Sequence, residues 1–504
     1  MPEPMRLRQA SVSTLPTCST SGIAVEKPTY PRELRQRICH IGVGRFHRAH
    51  QAHYLHQLLQ LGMADGWGLC VIGLRAADRA ILHALAEQDG LYSLWQTDGQ
   101  HEAATVIGSI MQWIDASSDV RAALDALSDA QTRIVSLTVT EAGYCLDAQH
   151  ALDLQHADIV HDLAHPETPR SAPGLLVRAL ALRHQCGSGG VTLMSCDNLV
   201  ANGERLRGAV LAFAEQQAPA LARWIADEVS FPSSMVDRIT PACDAAREDR
   251  LRTDWGVRDD ALVRCERWQQ WILEDAFVAG RPAFEKVGVV LSDRVHAYEQ
   301  LKVGLLNGGH SALSHLGLML GHHKVHEAMA DPLIRRWLDA YMSEVAQTLP
   351  AIAGVDVATY QRSLIARFSN PDIDDRLSRL AQDSTSKFQQ VLLPPLLQRL
   401  AQPLPVPALS LTLALWMRFL SRLHDDAGAR DAYLDTGKAA LIEQARAAVL
   451  STHSADFLAS VLGLQASMTG CVHGEVDRHL FQLEQSGLRA HVGRIAERTL
   501  AAPG

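Results

Sequence analysis

Over the first part of the chain, short apolar runs alternate with segments of helical periodicity. The apolar runs span 38–41, 69–72, 134–139 and 191–194, and helical segments such as 46–61, 120–127 and 174–184 lie between them. Strand-length apolar runs that alternate with helices are typical of a parallel sheet with helices on both faces. This part of the sequence therefore predicts an α/β, doubly wound domain.

The pattern changes near residue 290. Apolar residues then recur with helical spacing in 301–320, 333–349, 392–400, 410–423 and 439–450, and strand patterns nearly vanish. The residues up to about 36 carry Pro and Ser without sustained periodicity. We therefore divide the chain into an N-terminal tail (1–36), an α/β domain (37–290) and a mainly α-helical C-terminal domain (291–504).

The composition is that of a globular protein, because 47% of the 504 residues are hydrophobic and 20% are charged. The net charge of −9 argues against a nucleic-acid partner, which needs a basic face. No apolar run reaches the roughly 18 residues of a membrane helix, so no membrane partner is predicted. The nine cysteines are scattered without a CxxC pair, which favours a reducing compartment and a cytoplasmic location.

A glycine turn follows the first apolar run. Gly42 and Gly44 flank Val43 directly after the predicted strand and before a predicted helix. In a dinucleotide-binding fold the first glycine permits the tight turn, and the second lets the pyrophosphate approach the backbone. The usual third glycine position is His47, so the helix must pack less closely on the strand. The context favours a Rossmann-like nucleotide site, and a plain strand–helix turn is the alternative.

The end of the second apolar run offers a contact for an adenosine ribose. Asp78 follows this run, and its carboxylate is suited to accept a hydrogen bond from the ribose 2′-hydroxyl of NAD. Arg75 and Arg79 flank it, and a guanidinium there would instead favour the 2′-phosphate of NADP. Capping of the next helix is an alternative role for Asp78. The sequence favours NAD and leaves NADP open.

Four polar residues share one side of an otherwise apolar helical pattern near residue 300. At about 100° per residue, an arc of about 140° holds Glu299, Lys302, Asn307 and His310. A lysine desolvated on an apolar helix has a lowered pKa and becomes a usable general base. It would take the hydroxyl proton of an alcohol while the cofactor takes the hydride, with Asn307 and His310 holding the oxygen. The alternative is an ordinary solvent-facing pair of Glu299 and Lys302.

Two further polar clusters adjoin apolar runs. Asn198 comes shortly after the run 191–194, where the carboxyl end of a parallel strand faces a ligand crevice, and it is suited to donate a second amide. An Asx-turn is the alternative there. Asp237 and Arg238 lie among apolar residues, where a structural ion pair is a plain interpretation.

Histidines recur at metal-like spacings in two places, which are 47, 50, 53 and 56 in the first and 322, 323 and 326 in the second. Neither set is completed by a nearby cysteine or by paired carboxylates. We therefore predict hydrogen-bonded or surface histidines, and a reaction that needs no metal.

At these positions the sequence resembles the long-chain polyol dehydrogenase family, also called the mannitol dehydrogenase family. The resemblance covers about 38–387, and its most specific pieces are 42–50, 139–144, 196–198, 236–239 and 302–310. Independent motifs in the order of the family argue against coincidence. The family's own loop carries a histidine at the third position, which accounts for His47.

The resemblance implies a Rossmann-like N-terminal domain, a helical C-terminal domain and a metal-independent reaction. The implied catalytic residues are Lys302 as general base, Asn198 and Asn307 as donors to the substrate oxygen, His310 as its orienting partner, and Glu299 at the proton exit. The implied cofactor contacts are Gly42, Val43, Gly44, Arg45, Phe46, Asp78 and Glu141, and the implied substrate contacts are Asp237, Arg379 and Lys387. In much of the family an acidic residue precedes the ribose-binding Asp; Ala77 stands there, which bears on discrimination against NADP.

The implied reaction is the NAD-dependent oxidation of a secondary alcohol in an open-chain polyol to a ketose. D-mannitol and D-fructose are the first expectation, and D-arabinitol and D-xylulose the second. Reduction of a hexuronate such as fructuronate is the third, and it needs an additional cation, for which Arg45, Arg379 and Lys387 are candidates. A rival from another class is a catalytically silent cofactor sensor, which would have no need of the base Lys302. We expect a monomer or a weak homo-oligomer.

Overall fold

The computed structural model describes residues 5–64, 66–147, 149–241, 249–250 and 253–501. The chain divides into two compact units, Met1–His296 and Ala297–Gly504. Within the described residues the strands lie in the first unit: β1 Met5–Arg6, β2 Ala24–Glu26, β3 Gln36–Ile41, β4 Trp67–Gly73, β5 Tyr92–Thr97, β6 Glu102–Ile107, β7 Ile110–Asp115, β8 Thr132–Leu137, β9 Thr192–Ser195, β10 Ser234–Asp237, β11 Val257–Arg258, β12 Val263–Glu266, β13 Gln270–Leu273 and β14 Val290–Leu291.

The largest sheet contains five parallel strands in the order β7-β4-β3-β8-β9. Both of its faces are buried, because Cys39 and Ile41 enter one apolar core whereas Ile38 enters another. From β3 the chain first adds β4 and β7 on one side of the sheet and then adds β8 and β9 on the other side. The direction of the strand order therefore reverses beside β3. In open α/β sheets ligands bind at the carboxyl ends of the strands at such a reversal. The predicted doubly wound α/β domain is confirmed.

The first unit contains helices at the predicted segments 46–61, 120–127 and 174–184, together with helices that were not predicted. They are Gln9–Val12, Arg45–Ala49, Gln51–Gln60, Arg79–Glu87, Val120–Ser128, Ala157–Ala164, Ala172–Cys186, Asn202–Gln217 and Pro219–Glu228. The predicted helix over 46–61 is interrupted at His50, whose backbone leaves the helical region at φ −118° and ψ −86°.

The residues before β3 take part in the smaller sheets. β1 pairs in parallel with β11, and β2 pairs in parallel with β6 at the edge of a four-stranded sheet of order β12-β5-β6-β2. A three-stranded sheet has the order β10-β13-β14. Part of the segment predicted as a tail therefore forms strands through pairing partners that are distant in sequence.

The second unit is helical, as predicted. Its helices and those leading into it are Val295–Leu301, Lys302–Asn307, Gly308–Met319, Val325–Ala330, Pro332–Ala346, Val357–Phe368, Leu377–Leu380, Ser384–Lys387, Phe388–Leu392, Leu393–Ala401, Pro407–Leu423, Ala427–Ala432, Lys438–Ser451, Ala455–Leu462, Ala466–Ser486 and Leu488–Ala501. Within the part of the chain described, no helix has the length and apolar character required to cross a membrane.

A buried carboxylate caps the long core helix Pro407–Leu423 of this unit. The two oxygens of Glu344 accept hydrogen bonds from the backbone N–H groups of Ala408 at 2.8 Å and Leu409 at 3.0 Å. These N–H groups have no partner inside the helix, so the contact satisfies both. Burial raises the pKa of Glu344 from 4.5 to about 7, against the lowering effect of these hydrogen bonds.

Candidate active site

The glycine turn lies directly after β3, the central strand of the main sheet. Gly42 has φ +108°, and a Cβ there would lie 2.2 Å from the carbonyl oxygen of Thr138, so glycine is required. Gly44 is exposed, and no protein atom lies within 4 Å of the position that its Cβ would take. The turn is therefore packed on the sheet at its first glycine and open at its second, and Arg45 beside it is exposed.

The predicted ribose contact, Asp78, ends a short 3-10 turn after β4. Its Oδ2 accepts a hydrogen bond from the backbone N–H of Arg75 at 3.1 Å, which is a local capping contact. Arg79 donates from Nε to Oδ2 of Asp115, at the end of β7, at 3.1 Å. An exposed pair of this kind stabilises little, but it draws the Arg79 charge toward a carboxylate.

A buried carboxylate that the sequence reasoning assigned no role, Asp197, ties together the carboxyl ends of β8 and β9. It accepts hydrogen bonds from the backbone N–H of Val139 at 3.1 Å and of Thr140 at 2.9 Å, and from the hydroxyl of Tyr144 at 2.7 Å. Burial raises the pKa of Asp197. An acidic residue immediately after a buried strand is the signal that points to it.

The Asp197 contacts hold an unusual backbone in place. Thr140 has φ +64°, a left-handed value that is costly for a β-branched residue and persists where surrounding contacts fix it. The next residue is Glu141, which is exposed. Asn198 directly follows Asp197 and is also exposed. The family motifs 139–144 and 196–198 are therefore joined by one carboxylate, and each presents a predicted site residue beside it.

Asp237 is the last residue of β10 and is buried. Its Oδ2 accepts a hydrogen bond from the indole N–H of Trp268 at 3.3 Å. The next residue, Arg238, is also buried, and its guanidinium donates to the carbonyls of Glu266 and Ala49.

Lys302 lies at the start of a π-helix, Lys302–Asn307, inserted between the α-helices Val295–Leu301 and Gly308–Met319. The prediction of one regular α-helix here is wrong, because the wider turn shifts the angular positions of Asn307 and His310 relative to Lys302. Lys302 is 7% exposed and Glu299 5% exposed, which contradicts the alternative of a solvent-facing pair. Single-turn π-helices are frequent at functional sites.

Two close contacts hold this segment against the rest of its unit. A Cβ on Gly308 would lie 2.2 Å from the Tyr341 hydroxyl, so the Tyr341 side chain of the helix Pro332–Ala346 reaches the Gly308 backbone. A second π-helix, Phe388–Leu392, packs against the first. His310 is partly buried and stacks on Phe368, with ring centroids 4.2 Å apart.

The two predicted substrate cations of this unit both have protein partners. Arg379 forms a two-pronged pair with Asp375, at 2.8 Å from Nε and 2.6 Å from Nη2. The ammonium of Lys387 donates to the carbonyls of Leu380 at 2.9 Å and Gln382 at 2.7 Å. Burial, reinforced by the charge of Arg379, lowers the pKa of Lys387.

The histidines of the first predicted set, at 47, 50, 53 and 56, are buried and enter ring contacts or hydrogen bonds. His322, in the second set, lies 3.4 Å from the carboxylate of Asp331. Among the described residues, no group of three or more His, Cys, Asp or Glu side chains is arranged to hold a metal ion.

The first unit fits a dinucleotide. β3 and β4 are parallel neighbours, and the Gly42 N–H donates to the carbonyl of Ile72 at 2.9 Å, so the glycine turn and the Asp78 turn follow adjacent strand ends. The open backbone at Gly44 leaves room for a pyrophosphate. A glycine turn after the central strand of a doubly wound parallel sheet defines a dinucleotide-binding protein of the Rossmann type.

Comparison with known proteins gives the family. The chain belongs to the mannitol dehydrogenase family: the family's Rossmann-domain model matches residues 36–286, and its C-terminal-domain model matches 294–462. A mannitol 2-dehydrogenase of Phaeosphaeria nodorum is 36% identical over 94% of this chain and 84% of its own length. One from Cereibacter sphaeroides is 40% identical over 79% of this chain and 83% of its own length.

Solved structures agree with this assignment. Mannitol 2-dehydrogenase of Pseudomonas fluorescens, in a ternary complex with NAD and D-mannitol, aligns with a TM-score of 0.84 and 35% identity, covering 98% of this chain and 100% of that one. A D-sorbitol dehydrogenase in substrate-free form aligns with a TM-score of 0.84 and 32% identity over 97% of this chain and 100% of that one. The resemblance inferred from the motifs is confirmed.

Proposed function

We propose that this protein is an NAD-dependent, metal-independent polyol dehydrogenase that interconverts D-mannitol and D-fructose. The observation that carries the proposal is the likeness, over nearly the whole chain, to the mannitol 2-dehydrogenase solved with NAD and D-mannitol. The mannitol 2-dehydrogenases of two further organisms, at 36% and 40% identity, support the same substrate pair.

The first unit would hold the cofactor. The turn of Gly42, Val43 and Gly44, with Arg45 and Phe46 after it, binds the pyrophosphate side, and Asp78 and Glu141 contact the remainder. Bound NAD supplies the hydride acceptor. The pairing of Arg79 with Asp115 supports NAD over NADP, because it offsets a charge that would otherwise attract a 2′-phosphate.

Lys302 would accept the proton of the reacting hydroxyl. Its burial keeps water away from the amine, and Glu299, also buried, passes the proton onward. Asn307 and Asn198 donate amide N–H groups to the oxygen as negative charge develops on it, and the His310 ring orients that oxygen. The stacking of His310 on Phe368 supports this role, because it fixes the plane of the ring.

The charges of the second unit favour a neutral polyol over a hexuronate. A carboxylate substrate would need a cation whose charge is not already offset, whereas Arg379 holds Asp375 through two nitrogens. The charge of Lys387 is not offset by these contacts, but backbone carbonyls take up two of its three ammonium N–H groups, which leaves one for a ligand. Both side chains retain N–H groups that suit hydroxyl oxygens, and Asp237 is suited to accept from a substrate hydroxyl.

We further expect a cytoplasmic monomer or weak homo-oligomer. The described cysteines at 18, 39, 70, 145, 186, 196 and 265 are free thiols, as expected in a reducing compartment. Sedimentation of the purified protein over a range of concentrations measures the assembly state.

The deciding experiment is kcat/KM on D-mannitol, D-arabinitol, D-sorbitol, D-fructose and D-fructuronate with NAD(H) and NADP(H). We expect D-mannitol and D-fructose with NAD(H) to give the highest values. A preference for fructuronate would refute the assignment of mannitol and fructose as the substrate pair. Cofactor binding without turnover of any compound would support the alternative of a catalytically silent cofactor sensor.

A matched variant tests the charge argument. Asp375→Asn releases the Arg379 charge while retaining the shape of its partner, and we expect it to raise kcat/KM for fructuronate relative to fructose. An unchanged ratio would show that the pair does not set this selectivity.

A further inference from the structure

The residue at the third glycine position of the turn, His47, makes a ring contact with the central strand. Its imidazole lies parallel to that of His40 on β3, with ring centroids 3.4 Å apart and planes inclined by 12°. Both side chains are fully buried. The helix after the turn is therefore held on the sheet through two stacked rings, at the position where a glycine would allow direct backbone packing.

His40 is itself fixed by the neighbouring strand. Its Nδ1 is 2.7 Å from the hydroxyl of Ser136, and its Nε2 is 2.8 Å from the hydroxyl of Thr138. The carbonyl of the same Thr138 is the atom against which Gly42 packs. The contacts thus close a loop from the turn through Thr138 and His40 to His47, which lies three residues beyond Gly44.

The two rings stack without charge. Burial lowers the pKa of His40 well below the ordinary histidine value, and the neighbouring His47 lowers it further. Burial also lowers the pKa of His47 to about 3, although Gln51 partly opposes the shift. Neither ring is protonated near neutral pH, so the stack carries no mutual repulsion.

We infer that His40 and His47 are positioning residues, whose stacked rings fix the Gly42–Gly44 turn in the shape that binds a pyrophosphate. The inference rests on the proposed function only in that the turn binds NAD. It assigns no proton transfer to either ring. A non-stacking side chain at position 47 should loosen the turn. It should then weaken the binding of ligands that contact the turn through a pyrophosphate, and leave other nucleotide contacts in place.

Calorimetric binding of ADP and AMP tests this directly, because ADP has a pyrophosphate and AMP does not. We expect His47→Ala to lower the affinity for ADP by about tenfold and to change the affinity for AMP by less than about twofold. His47→Phe keeps a planar ring and should retain ADP affinity near that of the wild type. The matched control is His56→Ala, which removes another buried histidine. Its Nδ1 lies 2.8 Å from the hydroxyl of Tyr30, and it belongs to the next helix rather than to the turn. It should leave the ADP-to-AMP affinity ratio unchanged.

Several outcomes overturn the inference. These are an unaltered ADP affinity in folded His47→Ala, an equal loss for ADP and AMP, or a loss in His47→Phe as large as in His47→Ala. If His47→Ala does not fold, His47→Leu fills the volume without a stacking ring and is judged by the same ratio. If the wild-type protein binds neither NAD nor ADP, the proposed function is refuted. If it binds NAD but the ADP-to-AMP affinity ratio does not depend on His47, only the present inference is refuted.

Discussion

Substitution of Gly308 by alanine offers a quantitative test of how the Lys302 segment is held. Gly308 has φ −64° and ψ −42°, so the backbone itself accepts alanine, and the exchange should gain about 1 kcal/mol of helix propensity. The added Cβ, however, would lie 2.2 Å from the Tyr341 hydroxyl and 3.1 Å from Val391 Cγ1. Tyr341 is fully buried, so it has little room to withdraw.

Overpacking a buried site costs about 3 kcal/mol at the upper end of its usual range. Subtracting the propensity gain, we expect Gly308→Ala to lower the free energy of unfolding by about 2 kcal/mol. The same strain should displace the neighbouring Asn307 and lower kcat with D-mannitol. Denaturant unfolding followed by circular dichroism, together with steady-state kinetics, measures both effects.

The cause is isolated by adding Tyr341→Phe, which deletes the clashing oxygen. The nearest atoms are then the ring carbon and Val391, both 3.1 Å away, a gap that small shifts relieve. When it is introduced together with Tyr341→Phe, Gly308→Ala should therefore be neutral or stabilising by up to about 1 kcal/mol. Gly474→Ala, at a helical glycine with no atom within 4 Å of its Cβ position, is the control and should stabilise. Equal destabilisation with and without the Tyr341 hydroxyl would refute the reasoning.

Three further outcomes are expected. Lys302→Ala should lower kcat by about 10² or more with little change in stability, and near-normal turnover would contradict its role as the base. Incubation with a metal chelator should leave turnover intact, whereas inactivation that zinc reverses would mean a metal-dependent reaction. For Glu344, whose pKa is about 7 folded and 4.5 as an ordinary carboxyl, the folded state binds the proton more tightly, so its contribution is greatest at low pH. The unfolding free energy of the wild type relative to Glu344→Gln should therefore fall by about 3 kcal/mol as the pH rises through this interval. A difference between the two proteins that does not change with pH would contradict the raised pKa of Glu344.

The main sheet is predictable from the sequence because it is buried on both faces. Strands such as β3 and β4 then appear as continuous apolar runs between helices, and the glycine turn is recognisable from its position after one of them. The small strands β1 and β2 have no such pattern. They form by pairing with β11 and β6, which are distant in sequence, so the pattern of neighbouring residues cannot predict them.

The chemistry of the site is only partly predictable in the same way. The apolar spacing around Lys302 fits an α-helix and a π-helix alike, so it does not distinguish between them; in the structure this segment packs against Tyr341 and the second π-helix. The pair of Arg379 and Asp375 has the i, i+4 spacing of a helical ion pair, so the sequence contains its signal. The carbonyls that hold Lys387 depend on how the short helix Leu377–Leu380 ends, which side-chain patterns do not specify.

A π-helix is an α-helix that contains one residue too many, and this places a constraint on chain length rather than on side-chain identity. Removing a single residue between Lys302 and Asn307 would let the segment relax into the α-helical hydrogen-bonding of its neighbours. Five steps of the wide π-helical turn and four steps of an α-helix sweep nearly the same angle, so the flanking helices would keep their relative orientation while the wide turn itself disappears. A one-residue deletion should thus leave the flanking helices in place and remove only the wide turn at Lys302, so a loss of turnover in a stably folded deletion variant would assign the functional requirement to the turn itself.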